Sequence, residues 1–222
     1  MKRWKENIWR FLPEHINEER DIFYFHSAVL CVRIEKEFLH CLTKSVREWV
    51  YNEYIRKESY IMEQGTIFKF HNDLDTDQII ASQYLLLPNL DEMKGHTFES
   101  LDPDFAKKVK PGDFVVGGEN FGCGSSREQA PGVLKALGVQ AVIAKSFARI
   151  FFRNAINIGL PAIVCKDLPD EVQTGDKMAL HMSEGTAEAN GKVYSCTKLP
   201  EYMQGILNQG GLIASLNREE EK

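Results

Sequence analysis

One decapeptide, Phe121–Ala130, concentrates residue types that could do chemistry. It reads FGCGSSREQA and contains two glycines, a cysteine, two adjacent serines and an Arg-Glu pair. A strand-like run precedes it and an apolar run follows, so the sequence predicts a helix that begins at the serines and ends at Gly138. Ser125 is expected to cap this helix, with Glu128 completing a capping box. Helix starts of this kind bind anions, and Arg127 adds a charge suited to a carboxylate.

Other glycine-serine and cysteine sites do not fit this spacing. A phosphate loop needs a lysine after the glycines, a nucleophile elbow needs a glycine two residues after the serine, and a dinucleotide loop needs a third glycine. An iron–sulfur cluster takes three or four thiolates, and Cys123, Cys165 and Cys196 are not clustered in sequence. We therefore predict no metal site on this chain and interpret Cys123 as a small packed residue. The histidines also lack metal-binding spacing and receive no role: His71, His96 and His181.

The composition changes close to Met62. Residues 1–61 contain all three tryptophans and no glycine, and their formal charge is +1, whereas the remainder carries −6. Helical spacing of apolar residues predicts helices between about Glu18 and Lys57. Three interpretations of 1–61 stay open: a helical extension that docks on the domain or on a partner, a weakly ordered tail, or a segment upstream of a true start at Met62.

From residue 62 to 222 strands and helices alternate, which predicts one α/β domain with some antiparallel strands after residue 170. The predicted strands are TIFKF, DFVVGG, QAVIAKSF and LPAIVC, followed by a hairpin of GDKMALHM and GKVYSCT. The predicted helices after the serines are ARIFFRNAINI, closed by Gly159, and a last helix in LPEYMQGILNQGG, closed by Gly210 and Gly211.

Charge and cysteine usage restrict the function classes. The net charge of −5 and the pI of about 5.7 argue against a nucleic-acid partner. No apolar run is long enough to span a membrane. The five cysteines include no CxxC pair and no secretion signal precedes them, so the sequence predicts a cytoplasmic protein with reduced thiols.

Four segments carry a resemblance to a known family. GCGSSREQAP, followed by AVIAKSFARIFFRNAINIGLP, resembles the swivelling domain of the aconitase superfamily, and within it the small subunits of 3-isopropylmalate dehydratase. NDLDTDQII and DPDFAKKVKPGDFVVGG are similar to the same family, in the same order. The resemblance covers residues 62–216 and not 1–61. It implies an α/β fold, a swivelling β/β/α domain of the aconitase C-terminal type, here with a helical N-terminal extension.

The resemblance also implies roles for individual residues. Ser125 would be the base that removes a C–H proton, while Ser126 and Arg127 would bind a substrate carboxylate. Asp77 would hold neighbouring polar groups in place, although an Asx-turn or helix cap is an alternative for it. The residue types alone predict anion binding but do not predict a basic serine, because a serine hydroxyl is a poor base unless its anion is strongly stabilised.

The segment Gln83–Asn89, QYLLLPN, bears on the choice of substrate. In the resembling family this region meets the substituent that distinguishes substrates, and members that act on a third carboxylate place an arginine there. Here an apolar run stands instead, which favours an alkyl substituent. The predicted substrate-binding residues are Tyr84, Leu85, Leu86 and Leu87. The alternative is that these leucines belong to the core.

The implied reaction is that of a hydro-lyase. The resemblance implies isomerisation of 2-isopropylmalate to 3-isopropylmalate by dehydration and rehydration, in leucine biosynthesis. It implies a [4Fe–4S] cluster on a separate large subunit, with no cofactor on this chain, and a heterodimer or heterotetramer that acts on a small dicarboxylate. The alternatives are a related alkyl-malate dehydratase, for example one acting on 2,3-dimethylmalate, and a non-catalytic module that binds an organic acid.

Overall fold

The computed structural model describes the backbone of residues 61–220 and the side chains of residues 64–217. The helices predicted in 1–61 lie outside the described residues, and the domain boundary at Met62 stays a prediction. The strands are β1 Ile61–Lys69, β2 Phe114–Gly117, β3 Ala141–Ala144, β4 Ala162–Val164, β5 Lys177–His181, β6 Thr186–Ala189 and β7 Lys192–Ser195.

Eight α-helices are found in this part of the chain. They are α1 Thr76–Ile79, α2 Leu90–Met93, α3 Phe105–Lys108, α4 Gln129–Ala136, α5 Arg149–Ile158, α6 Leu168–Glu171, α7 Glu201–Asn208 and α8 Leu212–Glu220. Two short 3-10 turns, Ser82–Leu86 and Lys94–His96, stand on either side of α2. No helix among the described residues is long and apolar enough to cross a membrane.

The strands form one seven-stranded sheet in the order β4-β3-β2-β1-β5-β6-β7. The half from β4 to β1 is parallel, whereas β1, β5, β6 and β7 pair antiparallel. The burial follows this division: all residues of β2 and β3 are buried, whereas β5 alternates. The predicted α/β domain with antiparallel strands after residue 170 is confirmed.

Apolar side chains on the two faces of the sheet pack into separate cores. Val115 and Val142 point to one core, together with Phe98 and Phe151, while Phe114 and Val116 point to the other. The alternation follows from the two-residue repeat of a strand. Parallel β1 and β2, in register from Ile67 with Phe114, send the loops that follow them to the same edge of the sheet.

Helix α4 begins four residues later than predicted. It starts at Gln129, so the predicted cap at Ser125 and its capping box are wrong. Pro131 explains the difference, because it occupies the third helical position, where a missing N–H costs nothing. In a helix capped by Ser125, the proline would fall inside the helix and remove a hydrogen bond. The predicted end at Gly138 is confirmed by its φ of 82°.

Two elements near the C-terminus were missed. Strand β6 lies within SEGTAEANG, so the predicted hairpin is a three-stranded meander. The turn into β7 has positive φ at Asn190 and Gly191, which is the usual geometry of an Asn-Gly hairpin turn. Helix α7 ends before Gly210 and Gly211 as predicted, but it is not the last helix, because α8 follows.

We predict that Gly122→Ala destabilises the domain more than Gly191→Ala does. Both glycines have φ near 75°, but a methyl group on Gly122 would lie 2.2 Å from Phe151 Cγ, whereas Gly191 has open space. The backbone strain should cost about 1–2 kcal/mol at Gly191, and strain plus overpacking about 2–4 kcal/mol at Gly122. Urea unfolding measures both values. Equal losses would show that Phe151 yields without cost.

Candidate active site

The site turn, residues 121–128, is held by the loop that follows β1. The backbone N–H groups of Gly122 and Cys123 both donate to the Leu74 carbonyl oxygen, at 2.7 and 3.2 Å. In return the Thr76 N–H donates to the Cys123 carbonyl at 2.9 Å, and the Thr76 hydroxyl donates to the Ser125 carbonyl at 3.0 Å. The two loops therefore lie side by side, like short strands at the edge of the sheet.

Arg127 and Asp77 form a two-pronged ion pair across these loops. Arg127 Nη1 donates to Asp77 Oδ1 at 2.5 Å and Nη2 donates to Oδ2 at 2.9 Å. Nη1 also donates to the Ile80 carbonyl at 3.2 Å. The Ser82 hydroxyl closes the network, because it donates to Asp77 Oδ1 at 2.7 Å and accepts from Arg127 Nη2 at 3.0 Å.

This network uses four of the five N–H groups that a guanidinium carries. The Arg127 side chain is only 12% exposed, whereas Asp77 is 52% exposed. The remaining N–H, on Nε, has no acceptor within residues 64–217. The hydrogen bond from Arg127, followed by that from Ser82, holds the pKa of the Asp77 carboxyl below its usual range.

The helix cap near Asp77 is a different residue. Asp75 caps α1, because its side chain accepts from the Gln78 N–H while the Gln78 side chain accepts from the Asp75 N–H. The helix-cap alternative for Asp77 is therefore wrong. Asp77 contacts Arg127 and Ser82 instead, and its part in catalysis stays a prediction.

Ser125 and Ser126 are exposed at the tip of the site turn. Within residues 64–217 neither hydroxyl makes a hydrogen bond, and the backbone N–H groups of Ser125, Ser126 and Arg127 find no acceptor there. Gly122 and Gly124 have φ of 75° and 88°, left-handed values that glycine adopts without steric cost in a tight turn. Although the helix begins later, the turn itself offers several unpaired donors beside Arg127, and this arrangement suits an anion.

The predicted substrate-selecting segment forms a 3-10 turn beside the ion pair. Leu85 and Leu87 pack against the core together with Tyr84, whereas Leu86 is 91% exposed. The core alternative therefore describes Leu85 and Leu87, whereas Leu86 is exposed and its contact with a substrate stays a prediction. A groove of about 340 Å³ connects this segment to the ion pair. It is lined by Asp77, Gln78, Ala81, Gln83, Tyr84, His96, Glu99 and Ser100.

The cysteines lie apart from this groove. Cys123 packs behind the site turn with its thiol 3.5 Å from the Asp73 carbonyl, and burial raises its pKa. Cys165 and Cys196 face each other in the second core, where their interaction lowers the pKa of Cys165 to about 7 and raises that of Cys196. Across the described part of the chain, no group of three or more His, Cys, Asp or Glu side chains could hold a metal ion.

Some residues of the site had no signal in the sequence. Ser82 and Thr76 bind Asp77 and the site turn respectively, and His96 and Glu99 line the groove. Only the capping pair Asp75 and Gln78 follows a readable rule, since a capping box places its members three residues apart. Ser82 lies five residues after Asp77, whereas Thr76 and His96 reach their partners through contacts between separate segments, which the local pattern does not contain.

Comparison with known proteins places the chain in a family. The Aconitase C-terminal domain family matches residues 63–168. The 3-isopropylmalate dehydratase small subunit 1 of Archaeoglobus fulgidus is 52% identical over 151 residues, which cover 67% of this chain and 93% of that protein. The chain belongs to the family of 3-isopropylmalate dehydratase small subunits. The predicted family and the aconitase C-terminal fold class are thereby confirmed.

Two further members of the dehydratase small-subunit family come from Methanocaldococcus jannaschii. Its isopropylmalate/citramalate isomerase small subunit is 48% identical over 158 residues, covering 70% of this chain and 94% of that protein. A crystal structure described as 3-isopropylmalate dehydratase from the same organism matches with a TM-score of 0.69 and 42% identity. It covers 72% of this chain and 96% of that one.

For this dehydratase small subunit we predict that Arg127 controls the titration of Asp77. In Arg127→Ala the Asp77 pKa should rise toward its usual value, since the main cause of its depression is lost. The ion pair should therefore stabilise the wild type above the usual carboxyl range and lose this contribution as the pH falls through the depressed pKa. Carboxyl carbon NMR measures the titration, with Asp91 as a surface control; an unchanged Asp77 pKa would contradict the pairing.

Proposed function

We propose that this chain is the small subunit of a heteromeric hydro-lyase that isomerises 2-isopropylmalate to 3-isopropylmalate in leucine biosynthesis. Its relatives are named 3-isopropylmalate dehydratase small subunit and isopropylmalate/citramalate isomerase small subunit. The observation that carries the proposal is the match along 93–94% of those relatives at 48–52% identity. Because the relatives are named small subunits, we propose a separate large subunit as the partner, in a heterodimer or heterotetramer.

The site turn would bind a carboxylate of the substrate. The backbone N–H groups of Ser125, Ser126 and Arg127 lie in one short turn and have no acceptor within residues 64–217, and the guanidinium keeps one N–H beyond the Asp77 network. A carboxylate can accept from several such donors at once. Asp77 would then fix the guanidinium plane, so that its free donor keeps one direction.

Ser125 would act as the base in dehydration. Its hydroxyl is exposed and lacks a partner within residues 64–217. After losing its proton to solvent, the alkoxide would take the C–H proton of the substrate and become a hydroxyl again, while the substrate hydroxyl leaves from the adjacent carbon with its bonding electrons. In rehydration Ser125 would return the proton. The neighbouring donors stabilise negative charge on the turn. A [4Fe–4S] cluster on the large subunit would supply a Lewis acid for the leaving hydroxyl.

The substrate substituent would meet Leu86. This side chain is 91% exposed in the chain alone, and an alkyl group is the chemistry that an exposed leucine receives well. A second candidate is a smaller alkyl malate. It is favoured by the relative named isopropylmalate/citramalate isomerase small subunit, which is 48% identical, because citramalate carries a methyl group in place of isopropyl.

We predict that Ser125→Ala abolishes turnover but not assembly. In complex with the large subunit, kcat should fall by at least about 100-fold, the usual contribution of a positioned proton-transfer group. Ser195→Ala, an exposed serine on β7, is the matched control and should keep wild-type rates. Gel filtration reports assembly and a hydration assay reports turnover. A fully active Ser125→Ala complex would exclude the assigned base, and an inactive wild-type complex would favour the organic-acid-binding module.

We also predict that Leu86→Arg impairs the reaction with isopropylmalate. A charged arginine there would lose water of hydration where it meets the alkyl group of the substrate. We therefore expect kcat/KM to fall by about 10–100-fold, which is the usual range of discrimination by a hydrophobic pocket. Because Leu86 is exposed, the chain should keep its thermal stability. Val193→Arg, at a 63% exposed valine on β7, is the control for charge and for loss of an exposed apolar side chain. Equal kinetics in both variants would remove Leu86 from the substrate site.

A further inference from the structure

Tyr84 and His96 form an aromatic stack beside the substrate-selecting turn. Their ring centroids are 3.8 Å apart and the ring planes differ by 9°. Tyr84 lies in the middle of the 3-10 turn Ser82–Leu86, two residues before the exposed Leu86, and its carbonyl accepts from the Leu87 N–H at 3.1 Å. The stack therefore ties the turn that displays Leu86 to a separate segment of the chain.

Glu99 joins the two rings through their polar atoms. Its carboxylate Oε2 lies 3.3 Å from His96 Nδ1. The same carboxylate faces the Tyr84 hydroxyl, and this interaction raises the pKa of Tyr84 and lowers that of Glu99. One acidic side chain thus contacts both members of the stack and fixes how the rings face each other.

The segment that carries His96 and Glu99 is itself firmly held. Phe98 between them is fully buried, has a φ of 56°, and donates its N–H to the Ile79 carbonyl at 2.9 Å. Its ring stacks on Phe70 with centroids 4.0 Å apart. A bulky residue in the left-handed region persists only where its surroundings fix it. His96 and Glu99 therefore form a rigid wall, against which Tyr84 rests.

The wall belongs to the same groove as the ion pair. Tyr84, His96 and Glu99 line it together with Asp77. The imidazole and the carboxylate are each about two-fifths exposed, at 36% and 44%. Such exposed polar pairs usually contribute little to overall stability. Because they lie next to the turn that carries Leu86, they can instead influence the orientation of that turn.

We propose that His96 and Glu99 are positioning residues for substrate selection, which hold Tyr84 and thereby the direction of Leu86. This inference rests on the proposed function. The substrate would meet Leu86 and the site turn, whereas His96 and Glu99 would act through Tyr84. Loosening the stack should then widen the space for the alkyl substituent and leave the proton-transfer step untouched.

The kinetic test compares two substrates that differ only in the alkyl group, 2-isopropylmalate and citramalate, with the complete two-subunit enzyme. In His96→Ala the ratio of their kcat/KM values should change by about fivefold or more, through KM, since one alkyl contact is worth about one order of magnitude. His96→Phe keeps a stacking ring and should restore most of the ratio. Glu99→Ala should change it in the same direction, and Glu99→Gln less.

Lys94→Ala is the matched control, because Lys94 lies in the same 3-10 turn as His96 and its side chain pairs with the surface Asp91. It should keep the wild-type ratio. Equal KM changes for both substrates in His96→Ala, or no rescue by His96→Phe, would overturn the proposal and leave a structural role only.

A second measurement does not depend on turnover. Methyl NMR of Leu86 in the free chain should show greater mobility in His96→Ala than in Lys94→Ala or His96→Phe, and unchanged mobility would also overturn the proposal. If the wild-type complex turned over neither substrate, the proposed function and the selectivity would fail together. A mobile Leu86 in His96→Ala would then still show that the stack holds the turn.

Discussion

The candidate site depends on the pairing of two loops that leave neighbouring parallel strands. Because β1 and β2 run in the same direction in adjacent positions, their following loops emerge at one edge of the sheet. There the Leu74 carbonyl accepts two N–H groups of the site turn, and Thr76 donates twice in return. This backbone pairing brings Arg127 onto Asp77, fifty residues away in sequence. Without the parallel register neither the ion pair nor the groove beside it would exist.

Local patterns were sufficient for most of the fold. Buried β-branched runs and glycine-terminated helices identified β2, β3 and α5 with nearly correct bounds, because their signals lie within each segment. Where the predictions were wrong, a second sequence rule applies to the same residues and overrides the rule on which the prediction was based. Pro131 excludes a helix start at Ser125, and Asn190-Gly191 is a hairpin turn that requires a strand on both sides. In both cases the local sequence contains the signal that decides the structure.

The contacts within the site, by contrast, join residues that are distant in sequence. Ser125, Ser126 and Arg127 stand out by composition, but the partner of Arg127 is decided by strand register, and nothing within GSSRE specifies it. The three leucines show the same limit. A 3-10 turn places three residues in each revolution, so of three adjacent leucines some face inward and others outward. Leu86 is the exposed one, whereas Leu85 and Leu87 pack against the core formed by separate segments of the chain.

The hydrogen bonds that Arg127 already makes limit how strongly its charge can attract a ligand to this site. With Asp77 already bound through both oxygens, the pair presents little net charge to a dicarboxylate, and one guanidinium N–H remains. The guanidinium would therefore orient a bound carboxylate more than it attracts one, and its own orientation is fixed during folding rather than on binding. Under the proposed function, a carboxylate would therefore rely mainly on the backbone N–H groups of Ser125, Ser126 and Arg127, which have no acceptor within residues 64–217 and would treat all carboxylates alike. Under the proposed function, discrimination between substrates consequently falls to an apolar contact outside this network, and the exposed Leu86, two residues after the groove-lining Tyr84, is the side chain proposed for it.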